Sequence, residues 1–205
     1  MKKTILLFMV LILGATAAFS SGWIGVDTGA NIMWTNTKMD MGEETLSISG
    51  SEIDYYLGLT GAHYFTDSVG LGYSVSMLYP LSAKVEDGDF QKVEDPDIQF
   101  KPSLSFQYRH SLSESLKIET GVGVYYGYTS TKESGMKISM WQIGAEGNVG
   151  ISFEPAEHLA VKAGAKVIVP IFTNASATMY GITLEYDVNC YGIGVIPYLG
   201  IACSY

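Results

Sequence analysis

Residues 97–109 read DIQFKPSLSFQYR. Every second position is apolar: Ile98, Phe100, Pro102, Leu104, Phe106 and Tyr108. Between them stand Gln99, Lys101, Ser103, Ser105, Gln107 and Arg109. Successive side chains of a strand point to opposite faces, so the stretch predicts a β-strand with one apolar and one polar face. Working outward, the same alternation recurs at 23–35, 51–65, 69–82, 116–128, 139–153, 159–172 and 189–205, which makes eight predicted strands. The apolar face continues through Ile24, Val26, Trp34, Tyr55, Leu59, Val75, Val122, Val149, Val167 and Leu199, and no charge falls on it.

The opposite face is small and polar. It carries Gly25, Gly72, Gly121, Gly144, Gly194, Ser74 and Asn148, with the acids Asp27, Glu52, Asp54, Glu119 and Glu146. The bases Lys101, Arg109, Lys117, Lys162 and Lys166 balance them. A soluble barrel would turn this face to water, and a water-facing surface is expected to be roughly 25–35% charged. A glycine-rich face of balanced charge suits a crowded interior better, which places the apolar face outside. Aromatic residues on that face gather near segment ends. Trp34, Tyr55, Tyr79, Phe100, Tyr126, Trp141 and Tyr191 lie at one end, with Phe65, Phe106, Tyr108, Phe153 and Tyr205 at the other. The two groups are spaced to flank the ~25 Å apolar band of an outer-membrane barrel.

Connections alternate as well. Residues 66–68, 110–115 and 154–158 are short, whereas 36–50, 83–96, 129–138 and 173–188 are long. Short turns on one rim and long loops on the other are how such barrels are built. The expected fold is therefore all-β: an eight-stranded antiparallel up-and-down transmembrane barrel at 21–205, with both termini periplasmic.

The first twenty residues predict a secretory signal peptide. Lys2 and Lys3 precede the apolar run Ile5–Leu13, and Ala18-Phe19-Ser20 offers small residues before a cleavage at Ser21. The whole chain has a net charge of −9 and becomes more acidic without those lysines. That balance argues against nucleic acid, whose binding needs Lys and Arg to neutralise phosphates. The only cysteines, Cys190 and Cys203, would face opposite sides of one strand and cannot pair.

The C-terminal run from Tyr198 to Tyr205 resembles the assembly signal of outer-membrane barrels, with Gly200, apolar Cys203 and aromatic Tyr205 at the expected spacing. With the eight-strand pattern, the chain looks like the small-barrel group that includes OmpX, OmpW and the OmpA transmembrane domain. The resemblance implies residence in outer-membrane lipid, insertion by the barrel-assembly machinery and escort by periplasmic chaperones.

Functional expectations rest on the inward charges. Asp27, Lys101, Arg109, Lys117, Glu119, Glu146, Lys162 and Lys166 form a candidate lumen network. A hairpin centred at residue 156 would oppose Glu146 to Lys166, and one centred at 113 would set Arg109 beside Lys117 and diagonal to Glu119. Such a network is a structural lining or a gate. His63, His110 and His158 lie on different hairpins without metal-ligand spacing, and no catalytic constellation or cofactor motif stands out. The first functional expectation is a small passive, porin-like channel whose lumen charges control passage of a small solute. The alternative is a surface interaction protein that uses acidic external loops (Glu43, Glu44 and the 84–97 stretch) to meet an extracellular ligand.

Overall fold

Long alternating segments form long strands, because one face can then meet lipid while the other fills the lumen. The computed structural model describes residues 21–40, 45–85, 88–94, 97–133, 136–180 and 182–205. The stretch 1–20, read above as a signal peptide, lies outside the described residues, as do Glu43, Glu44, Glu86, Asp87 and Asp95 of the acidic loops. The strands are β1 (Ser21–Asp40), β2 (Thr45–Tyr64), β3 (Val69–Val85), β4 (Gln91–Lys92), β5 (Gln99–Ser111), β6 (Leu116–Glu133), β7 (Met136–Ala156), β8 (Leu159–Met179) and β9 (Ile182–Ser204). All pairings are antiparallel.

Spatial order runs β2-β1-β9-β8-β7-β6-β5-β3, and β2 pairs with β3 to close the ring. Two-residue β4 only edges β3, at Ser82 and Ala83. The eight long strands therefore make the closed up-and-down barrel that the alternation predicted. Closure leaves no strand of the ring with a free edge along its whole length, although pairing between β8 and β9 lapses from 169 to 172.

Strand ends differ from expectation. The β1–β2 ladder runs on to Asp40 and Thr45, β6–β7 to Glu133 and Met136, and β8–β9 to Met179 and Ile182. Most of the predicted loops 36–50, 129–138 and 173–188 is thus strand. Beyond the apolar band both faces meet water, so alternation fades. The β-branched threonines Thr35, Thr37, Thr129, Thr131, Thr178 and Thr183 still favour extended backbone.

The turn rim is tight. The hydroxyl of Thr66 accepts the amides of Ser68 and Val69, at 3.3 and 3.0 Å. His158 closes the β7–β8 hairpin in the left-handed region, at φ 65°. Large apolar side chains stand on the outer wall, with Val122 68% and Leu199 64% exposed. A water-facing surface rarely carries so continuous an apolar patch, whereas a lipid-facing one requires it. Inside, Met33, Tyr56, Leu78, Tyr125, Ile168, Ile196 and Tyr198 form one buried cluster among the polar lumen groups.

Candidate functional site

Strand alternation delivers Asp27, Lys101, Glu119, Glu146, Lys162 and Lys166 to the lumen, where all are buried. Near the turn rim, the Lys162 ammonium forms an ion pair with Glu119. It also lies 3.4 Å from the Trp23 ring centroid. Tyr64 donates its hydroxyl to the second Glu119 oxygen at 3.2 Å. One strand-turn higher, Lys166 donates to the Tyr56 hydroxyl at 2.7 Å and stands over the Tyr56 and Tyr198 rings. Asp27 accepts from Thr60 at 3.0 Å, and Glu146 accepts from Ser103 at 3.2 Å. Asp27 and Glu146 share the field of Lys166. Higher still, Lys101 lies 4.8 Å from the Tyr125 ring centroid, and Asn31 donates to Asp54 at 2.5 Å.

The pairings differ from those expected. The β7–β8 hairpin turns at Glu157 and His158, with a bulge between Phe153 and Ala156. This register sets Lys166 opposite Asn148 and Glu146 opposite Ile168, so Glu146 and Lys166 are diagonal neighbours. On the β5–β6 hairpin, Arg109 stands directly opposite Glu119 and Lys117 opposite Ser111. Arg109 nonetheless turns toward the rim. It donates to Ser21 and to the Asp67 carbonyl, both at 3.2 Å, with its guanidinium 4.0 Å from the Tyr64 ring centroid. Lys117 pairs with Glu154 at 2.6 Å, a rim partner outside the predicted network.

The tyrosines go beyond the small, polar inner face expected from the sequence: Tyr56, Tyr64, Tyr125 and Tyr198 fill it. Their signal was present: each occupies an inward position of the same alternation. The inward glycines make room for them. A Cβ on Gly150 would lie 2.6 Å from the Tyr198 hydroxyl, and one on Gly164 2.7 Å from it. The space left at mid-lumen is a cavity of about 30 Å³ between Asp27, Glu146, Lys166 and Asn148. That is room for about one water with polar partners on every side.

The assembly-signal residues sit where β9 meets β1. Gly200 faces Asp27 across the ladder, Cys203 is exposed on the outer wall, and Tyr205 exchanges both main-chain hydrogen bonds with Gly22. Among the described residues no group of His, Cys, Asp and Glu is gathered for a metal.

Fold and lumen together define the class: a small, eight-stranded barrel of the outer-membrane type, with a filled and charged interior. Solved structures of such proteins superpose over nearly the whole chain. The outer-membrane protein OprG from Pseudomonas aeruginosa is 19% identical, with 90% of this chain and 96% of that one covered, at a TM-score of 0.58. The outer-membrane protein AlkL is 16% identical, with 90% of each chain covered and a TM-score of 0.59. Neisserial surface protein A is 10% identical, with 88% and 96% covered and a TM-score of 0.54. At such identities the likeness establishes the fold. No family model and no curated protein sequence matches this chain.

Proposed function

We propose that this chain is an integral outer-membrane protein that acts as a small passive conduit, closed at rest by its charged lumen. In this reading residues 1–20 are a removed leader, the turn rim and both termini are periplasmic, and the barrel-assembly machinery inserts the chain through Gly200, Cys203 and Tyr205. Periplasmic chaperones deliver it. The Glu119–Lys162 pair and the Asp27–Lys166–Glu146 layer control passage.

One observation carries the conduit: a water-sized polar cavity lies inside the charged layer. Each buried ion costs several kcal/mol of desolvation. A barrel serving only as an anchor gains nothing from setting Asp27, Glu119, Glu146, Lys162 and Lys166 along its axis. A path that opens by parting ion pairs does.

The test is conductance across a planar lipid bilayer, for residues 21–205 refolded in detergent. Rare discrete steps are expected from the wild type and frequent or larger ones from Glu119→Gln/Lys162→Met. Silence from both, with folding shown by heat-dependent gel mobility, overturns the conduit. It would leave the second reading, supported by the β1–β2 ladder that runs past Trp34 and Tyr55 to Asp40 and Thr45: an anchor that presents acidic loops to an extracellular ligand.

A further inference from the structure

Below the loop end of the lumen, inward acids and bases answer one another. Glu119 pairs with Lys162, and Asp27 and Glu146 share the field of Lys166. The two inward acids nearer the loops, Glu52 and Asp54, stand outside that arrangement. They lie two residues apart on β2, so both side chains leave the strand on the lumen face. Their carboxyl groups face one another at close range. Asp54 is fully buried, whereas Glu52 is half-buried and one step nearer the loops.

The base in their field does not meet them. Lys101 shares that field with Glu146, stands over the Tyr125 ring at 4.8 Å, and enters no ion pair among the described residues. Two carboxylates held together away from bulk water repel strongly, so a positive charge belongs between them.

A third oxygen joins the pair from β1. Asn31 is directly opposite Asp54 in the ladder and 2% exposed. Its Nδ2 donates to Asp54 Oδ2 at 2.5 Å, which fixes the amide against the acid. That leaves Asn31 Oδ1 and Asp54 Oδ1, both buried and both without a hydrogen-bond partner among the described residues. No third acid, histidine or cysteine converges here; the amide is the third donor. Carboxylates and an amide carbonyl are the ligands that hard cations take, with water completing the shell. Magnesium demands a near-ideal octahedron and gives up its waters reluctantly, whereas calcium accepts an irregular set of oxygens fixed by its surroundings.

We infer that Glu52, Asp54 and Asn31 form a site for a divalent cation of the calcium class at the loop end of the lumen. A dication matches the charge of the two carboxylates, and half-buried Glu52 is its way in. Lys101 opposes it as a competing positive charge in the same field. The site does not depend on axial conduction.

The protein in phosphatidylcholine vesicles is titrated with terbium, whose luminescence is excited through tyrosine, and then with calcium as competitor. One saturable site is expected, with calcium binding at about 10⁻⁴–10⁻³ M, the range of extracellular calcium modules. Magnesium should compete far less well. Asp54→Asn and Glu52→Gln should each weaken calcium at least ten-fold, and Asn31→Leu several-fold, all in protein that remains heat-modifiable. Lys101→Met should tighten calcium binding, a gain that a merely structural acid pair would not produce. Calcium should also raise the gel-conversion temperature of the wild type and not that of Asp54→Asn. Asp89→Asn/Glu94→Gln/Asp97→Asn, which neutralises acids of the exposed loop, should leave the affinity unchanged. Loss of binding in that loop variant with retention in Asp54→Asn overturns the proposal in favour of the loops. Absence of saturable binding overturns it as well, and leaves a pair of acids that share a proton. An affinity unchanged by Lys101→Met removes the competition on which the proposal rests and overturns it too.

Discussion

Lys162 and Glu119 hold one another where neither reaches solvent, their side chains 2% and 6% exposed. Around them the Trp23 ring and the Tyr64 hydroxyl offer support. Removing one partner strands the other, which typically costs about 3–5 kcal/mol, whereas removing both can be nearly neutral. Lys162→Met should therefore lower the urea midpoint of the vesicle-inserted barrel strongly, and Lys162→Met/Glu119→Gln should restore most of the loss. Additive losses in that cycle would mean that the two residues act separately. Gly58 makes the same kind of argument in volume. A Cβ there would meet the Tyr56 ring carbon Cζ at 2.9 Å, with only ordinary contact to Ser76. Gly58→Ala should then cost about 1–3 kcal/mol as overpacking. In a Tyr56→Leu background the penalty should largely vanish; if it persists, the ring is not what the glycine accommodates.

Element by element, β8 departs furthest from a regular strand. Across the β8–β9 seam pairing stops at Ile168–Gly194 and resumes at Thr173–Val188, and β8 carries Pro170, which has no N–H, in that gap. If the proline keeps the seam open, Pro170→Val should let β8 and β9 pair more closely. The amides of residues 189–193 should then exchange with deuterium far more slowly. Unchanged exchange would assign the break to β9 instead. The same strand marks how much the sequence made legible. Alternation in 97–109 and its companions reveals which face each side chain takes, and with it the barrel and the buried set Asp27, Lys101, Glu119, Glu146, Lys162 and Lys166. Register is a different quantity. It depends on where a turn closes, and the left-handed His158 and the bulge before Ala156 shift the β7–β8 pairing enough to replace the expected Glu146–Lys166 opposition by Asn148–Lys166. Pro170 was a visible sign of a strand irregularity. The width of the gap was not, because it depends on how two neighbouring strands diverge.

For the whole molecule the decisive contact is between β1 and β9, since a barrel closes only when the first strand finds the last. Tyr205 exchanges main-chain hydrogen bonds with Gly22 of β1, at 2.9 and 3.0 Å. Its side chain then crosses β1 and reaches β2, where its hydroxyl meets His63 Nδ1. The two rings sit 5.8 Å apart, with the Tyr73 ring of β3 5.3 Å from His63. A Cβ at position 22 would lie 2.6 Å from the Tyr205 hydroxyl, so glycine there is what permits the crossing. One terminal side chain thus ties β9 to β2 and β3 as well as to β1. The parts of this tie separate by substitution. Tyr205→Phe keeps the ring and loses one hydrogen bond, which is worth about 0.5–1.5 kcal/mol. Tyr205→Ala also removes the aromatic contact, worth a further ~0.5–1.5 kcal/mol beyond the buried area itself. The temperature at which the folded band converts to the unfolded one on a gel should fall in the order wild type, Tyr205→Phe, Tyr205→Ala. His63→Ala should add little to Tyr205→Ala, because both break the same latch. If instead the two losses add in full, Tyr205 and His63 stabilise the barrel independently, and the seam is held by the β1–β9 ladder alone.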